Sequence, residues 1–295
     1  MKISPEIEKL KAYVPGRAIA DVQRETGLQS VIKLASNENP LGASAKAVAA
    51  IQNQLTEIDR YPEASSYDLL TALAEHLGVT TDRIAFGNGS NELIDLLIRV
   101  FCSFDDRIVI SEMSFVAYAI CAQSARVKSV TIPCTSDWRV DPAGFRLYFQ
   151  KFADARDRVV FLPNPNNPTG SYLNAGELQD ILDVVLADEN RIVVLDEAYY
   201  EYVRAKDYPQ TLQWQKKYPN LVIMRTFSKV YGLAGLRVGY IVAAPEIVSW
   251  INRVRNPFNI NNLAQAAATA ALRTSASPRS WFGVKWIDWP KNFGC

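Results

Sequence analysis

The chain has one histidine, His76, in 295 residues. That scarcity excludes His-rich metal centres. It leaves a Ser-His-Asp or Cys-His mechanism only if His76 itself serves. His76 lies in SYDLLTALAEHLGV, an amphipathic helical pattern ending at Gly78, a C-cap position, and reads as a residue of the helix surface. Cysteine is also sparse. Cys102, Cys121, Cys134 and Cys295 make no C-x-x-C pair, so neither a zinc knuckle nor a dithiol redox motif is expected. No sign of charge dominates: Lys+Arg is 32, Asp+Glu is 31 and the net charge is +1, which points away from nucleic-acid and membrane-surface partners. Apolar runs are too short to span a bilayer. The leading MKISPEIEKLKAYVPG lacks the apolar centre of a signal peptide, so a cytoplasmic protein is expected. Internal repeats and low-complexity linkers are missing as well.

What is present is a chain 48% hydrophobic, enough for one large domain and a smaller one. Short β-branched runs recur at 107–110, 158–162, 191–195, 221–224 and 238–243. Helical patterns, such as 92–101 and 177–187, lie between them. This alternation predicts an α/β fold with a mostly parallel sheet. Sheets of that kind bind ligands at the carboxyl ends of their strands, and the notable polar residues follow the apolar runs. Residues 1–35 read as an N-terminal arm leading into a small domain. Residues 36–250 read as a large domain, and 251–295 as a connecting Ala-rich helix (263–272) with an atypical tail.

Four segments carry chemistry. In RTFSKVYGLAGLRVGY a strand runs into Thr226, Ser228 and Lys229, then a Gly-rich turn and Arg237. Hydroxyls and cations in one loop suit a phosphorylated ligand. A lysine there becomes an amine nucleophile once desolvation and neighbouring positive charge depress its pKa. A lone lysine in that place would read as a surface residue; the whole string is far more specific. In VVLDEAYYEY, Asp196 ends a buried strand and needs a partner, either a structural cation or a protonated ring nitrogen. In FLPNPNNPTG, Asn167 precedes Pro168, which biases it away from helix; the turn is either ordinary or one that aims the amide at a ligand. In FGNGSNELIDLLI, glycines open a helix whose free N–H groups suit phosphate, with Ser90 and Asn91 as added donors or Ser90 as a plain cap. The G-K-[ST] ending of a Walker A loop is absent.

In order, N-E-N-P-L-G, R-Y-P, G-N-G-S-N-E, N-P-N-N-P-T-G, D-E-A-Y and S-K-V-Y-G-L-A-G-L-R-x-G resemble the fold-type I aminotransferases that use pyridoxal 5'-phosphate. The resemblance covers about residues 5–272. Y-V-P-G, L-A-S-N-E-N-P-L-G and R-Y-P-E are similar to the histidinol-phosphate aminotransferase group. The resemblance implies a seven-stranded, mostly parallel sheet. It implies that Lys229 bonds the cofactor and moves the substrate proton, and that Asp196 pairs with the ring nitrogen. Asn167 and Tyr199 would meet its phenolic oxygen; Ser90, Asn91, Thr226, Ser228 and Arg237 its phosphate. Phe115 falls where the family often has a tyrosine stacked on the ring, keeping the stacking face without the hydroxyl. Tyr61 would reach the neighbouring subunit's phosphate, implying a homodimer. Tyr13, Asn37 and Asn39 would line the substrate side. The implied substrates are L-histidinol phosphate and 2-oxoglutarate, with no metal.

One region departs from the pattern. Family members continue further and supply an arginine for the substrate's acidic group. From about Thr274 the text fits poorly, with three of the six tryptophans and two prolines crowding SASPRSWFGVKWIDWPKNFGC. A truncated or frame-disrupted product is the expectation, able to bind the cofactor through Lys229 while turning over weakly. The alternatives are an aromatic aminotransferase or an amino-acid-phosphate decarboxylase on the same framework, or a non-catalytic remnant that still binds the cofactor.

Overall fold

The computed structural model describes residues 3–273. The atypical tail from Thr274 lies outside the described residues. Seven strands form one sheet: β1 (Ile84–Asn88), β2 (Arg107–Ser111), β3 (Lys128–Ile132), β4 (Asp157–Pro163), β5 (Ile192–Asp196), β6 (Leu221–Thr226) and β7 (Val238–Val242). Their order is β1-β7-β6-β5-β4-β2-β3. The β2–β3, β2–β4, β4–β5 and β5–β6 pairs are parallel. β7 runs antiparallel to both β6 and β1. All five expected strands and the mostly parallel sheet are present. The patterns at 67–77, 90–101, 175–185 and 262–272 are helices.

Alternation along the strands divides the core. Ile192 and Val194 of β5, with Val222 and Met224 of β6, pack on one face under the helices Ser90–Phe101, Ala117–Ser124 and Pro245–Val254. Val193, Leu195, Leu221 and Ile223 pack on the other face, under Pro142–Lys151 and Ala175–Val185. Continuous apolar runs in these strands follow from burial on both faces. A third cluster joins β1 and β7 to the helices Ala45–Gln54, Tyr67–Leu77 and Asn262–Leu272.

Local chemistry fixes where elements start and stop. Asn174 and Glu177 form a reciprocal capping box at the start of Ala175–Val185, satisfying two otherwise free N–H groups. Gly78 ends Tyr67–Leu77 in the left-handed conformation, as its position predicts. The helix Ser90–Phe101 is capped by Gly89 (φ 75°), not by Ser90. Ser90 is therefore its first residue, and its hydroxyl is not used as a cap.

The strand directions place the ligand edge. β1 points the same way as β6, because both are antiparallel to β7. The carboxyl ends of β1, β4, β5 and β6 and the amino end of β7 therefore share one edge. Gly89–Asn91, Asn164–Asn167, Asp196, Thr226–Lys229 and Arg237 all lie along it.

Candidate active site

Asp196 ends β5 on the face of Ile192 and Val194 and is buried. Each of its carboxylate oxygens has one donor. The Tyr118 hydroxyl donates to Oδ2 at 2.7 Å, and the Ala198 N–H to Oδ1 at 3.1 Å. Both donors are neutral, and no ion pair to Asp196 is found among the described residues. Burial raises its pKa to about 6, against the pull of those two hydrogen bonds. Tyr118 is fixed in turn by stacking on Phe161, 4.7 Å between ring centroids, and by the edge of Phe115 at 5.7 Å. Phe115 is thereby brought to the same corner.

Lys229 follows β6. Its Nζ donates to the main-chain carbonyl of Ser36 at 2.8 Å, with that of Asn37 at 3.4 Å. It lies 5.5 Å from the centre of the Tyr199 ring. Burial pushes the amine below the ordinary lysine value; Glu38 and Asp196 pull it up, and Arg237 pushes it further down. A depressed amine pKa is what an amine nucleophile requires. Asn37 donates to the Tyr199 hydroxyl at 2.9 Å, so the segment around Asn37 closes over the lysine.

At the start of the helix Ser90–Phe101, glycines let Arg237 and the strand β7 approach closely. Arg237 has a left-handed backbone (φ 58°), and its guanidinium donates to Ser228 Oγ at 3.3 Å and to the Ala234 carbonyl at 3.1 Å. A Cβ on Gly89 would lie 2.1 Å from Arg237 Nη2, and one on Gly239 would lie 2.5 Å from the Ser90 amide nitrogen. Only glycine allows these approaches. The guanidinium therefore lies against the start of the helix Ser90–Phe101, where free N–H groups and the helix dipole attract an anion.

The other expected residues divide. Thr226 uses its hydroxyl within the turn, donating to the Val238 carbonyl and accepting from the Ser228 N–H. Asn39 likewise shapes its own loop, bonding the Val230 carbonyl and the Leu41 N–H. Asn167 is half-buried at the turn after β4 and makes no hydrogen bond from its side chain to a described residue. Asn91 is exposed on the first turn of its helix. Tyr13 is exposed on the arm. Tyr61 is 83% exposed and stacks on Phe258 at 4.8 Å, beside a surface cleft of about 600 Å³ lined by Arg60, Lys46 and Arg273 among others. It is not gathered with the rest. Sequence reasoning missed Tyr118, whose partner Asp196 lies 78 residues away in the chain.

A buried carboxylate with no ion pair among the described residues, an amine of lowered pKa and an anion-attracting corner between Gly89 and Arg237 fit one group. They suit a ring with a protonated nitrogen, an aldehyde and a phosphate, which is the chemistry of pyridoxal 5'-phosphate. A family model described as aminotransferase class I and II matches residues 29–285, and the chain belongs to that family, whose cofactor is pyridoxal phosphate. Within it, the chain is similar to the histidinol-phosphate aminotransferase of Bdellovibrio bacteriovorus. The two are 47% identical over 273 residues, covering 92% of this chain and 73% of the relative. The enzyme of the same name from Anaeromyxobacter sp. is 46% identical, over 93% of this chain and 74% of its own length. Among solved structures, histidinol-phosphate aminotransferase from Sinorhizobium meliloti in complex with pyridoxal-5'-phosphate superposes with a TM-score of 0.81 at 29% identity. That match covers 92% of this chain and 71% of the other.

Proposed function

We propose that the chain transfers the amino group of L-histidinol phosphate to 2-oxoglutarate, giving imidazole acetol phosphate and L-glutamate. The observation that carries this reading is Lys229, whose amine of lowered pKa shares the sheet edge with the buried carboxylate of Asp196, which has no ion pair among the described residues. The relatives named histidinol-phosphate aminotransferase support the choice of substrate. When bound, pyridoxal phosphate supplies an electron sink for the pair left as the substrate Cα–H is lost. Lys229 would hold the cofactor covalently, be displaced by the substrate amine, and then move the proton from Cα to C4′. Asp196, kept in place by Tyr118, would hold the ring-nitrogen proton. Asn167 and Tyr199 would hydrogen-bond the phenolic oxygen, and Phe115 would stack on the ring. Ser90, Asn91, Ser228 and Arg237 would bind the phosphate, with Thr226 shaping the turn that presents Ser228. Tyr13, Asn37 and Asn39 would face the substrate.

The active unit in this reading is a homodimer. Exposed Tyr61, held outward against Phe258, would reach the partner subunit's phosphate. A cytoplasmic location goes with it. So does the division into an arm (1–35), a cofactor domain (36–250) and a connecting helix with its tail (251–295), with the whole sheet falling in the middle part.

The test is the first half-reaction. Purified protein loaded with pyridoxal phosphate is mixed with L-histidinol phosphate, and the visible band of the Lys229 link is followed. Its loss, with recovery on adding 2-oxoglutarate, is expected. Indifference to L-histidinol phosphate together with a response to L-phenylalanine, or release of carbon dioxide from an amino-acid phosphate, would overturn the assignment.

A further inference from the structure

Behind Asp196, on the other face of the sheet, lies a second carboxylate. Side chains alternate along β5, so Glu197 follows Val193 and Leu195 away from the cofactor face. It is fully buried. Its Oε2 accepts from Arg225 Nε at 2.9 Å and Nη2 at 2.8 Å. Arg225 belongs to β6, immediately before Thr226, and its guanidinium lies 3.7 Å from the centre of the Tyr200 ring. The other oxygen, Oε1, accepts from Thr211 Oγ1 at 2.7 Å, with Tyr208 Oη 3.4 Å away. Tyr208 donates to the main-chain carbonyl of Asn164, just past β4. The Asn164 side chain bonds the N–H of Leu173 at 2.8 Å and its carbonyl at 3.1 Å, closing the loop that contains Asn167.

Glu197 thus ties β5 directly to β6 and to Thr211, and Tyr208, beside the same carboxylate, ties the cluster to the end of β4. The end of each of those strands carries one side chain assigned above to the cofactor: Asn167 after β4, Asp196 on β5 and Lys229 after β6. We propose that Glu197 is a positioning residue, and that the buried cluster it forms with Arg225, Thr211 and Tyr208 sets the spacing of Asn167, Asp196 and Lys229. The proposal rests on the reading of those three residues as cofactor contacts.

Two physical points support a positioning role over a purely stabilising one. Buried ion pairs add little net stability relative to well-packed apolar residues, because both charges lose their hydration. They do fix geometry, since the planar guanidinium accepts only a narrow range of carboxylate orientations. Burial alone would push Arg225 down; Glu197, with Tyr240 and Glu201, more than offsets this, and the guanidinium stays firmly charged. Glu197 is answered by Arg225, while Asp196, on the opposite face, has no ion pair among the described residues and is held further up by the charge of Glu197.

The test compares Glu197→Gln, Arg225→Met and the double variant Glu197→Leu/Arg225→Met in the full chain. Three quantities are measured: the thermal midpoint without cofactor, the dissociation constant for pyridoxal phosphate, and the pH midpoint of the visible band. Cofactor binding in all three should weaken by about tenfold to a hundredfold, the range spanned by the loss of one hydrogen bond to a charged group. Their band midpoints should shift from that of the unaltered chain. The double variant should regain the thermal midpoint while cofactor affinity stays low, because shape is restored and direction is not. Recovery of affinity and band midpoint along with stability in the double variant would overturn the proposal. Single variants that bind the cofactor with unaltered affinity would do the same. A Lys229→Ala control separates the underlying reading: if that variant keeps the visible band, the assignment of Lys229 fails and not the role of Glu197.

Discussion

Asp196 carries the clearest pH signature of any residue in the site. Its carboxyl is raised by burial to about 6, so the folded, cofactor-free chain binds this proton more tightly than the unfolded chain does. Stability from this group is therefore present below the unfolded carboxylate value and lost as pH rises through about 6. Pairing with a protonated ring nitrogen has the opposite demand, because it needs the ionised carboxylate. Affinity for pyridoxal phosphate should fall as pH drops below about 6, and Asp196→Asn should flatten that part of the profile. A fluorescence titration of the apoprotein between pH 5 and 8 checks this, and identical slopes in both proteins would contradict it. Gly89 gives a second prediction at this scale. Alanine there meets the Arg237 guanidinium and must hold φ near 75°. With ψ at 164° this is a region essentially confined to glycine, and it costs another residue about 1–3 kcal/mol. Gly89→Ala should therefore lower the thermal midpoint modestly and weaken the cofactor sharply, read by melting and titration of one preparation.

Elements with a strong period were legible in the sequence. β4, β5 and β6 are continuous apolar runs because both of their faces are covered, and each ends where a polar residue begins the site. β1 and β3 gave weaker signals. β1 is only five residues, two of them in G-N, and gains its place by pairing with β7. β3 reads KSVTI and is an edge strand with one buried residue, Ile132. The placing of Lys229 and Asp196 at the ligand edge was legible, because one follows and the other ends an apolar strand. The site was not legible where the role lies in a distant partner, since nothing local ties Tyr118 to Asp196 or Arg225 to Glu197. Thr226 and Asn39 carry a contact that residue type alone did not suggest: the fold also uses both side chains to shape loops. Caps are separable from this chemistry. Asn174→Ala removes the capping box and should cost about 1 kcal/mol of stability, with cofactor affinity unchanged. Denaturant unfolding with and without pyridoxal phosphate measures both effects.

At the scale of the whole molecule, the edge that collects the residues proposed to hold the cofactor leaves Tyr61 on the outside. If each site borrows that hydroxyl from its partner, two separately defective chains should repair one another. Tyr61→Ala and Lys229→Ala, each inactive alone, should recover partial activity when co-expressed, because a mixed dimer contains one intact site. No recovery in a mixture shown to exchange subunits would confine Tyr61 to its own chain. The most direct measurement bears on Lys229. The full chain is loaded with pyridoxal phosphate, its visible absorbance is recorded, and borohydride is added before peptide mapping. A yellow protein whose band disappears on reduction, with the cofactor's mass fixed on Lys229 and both signals lost in Lys229→Arg, is the predicted result. A reducible yellow adduct that survives Lys229→Arg undiminished would contradict it.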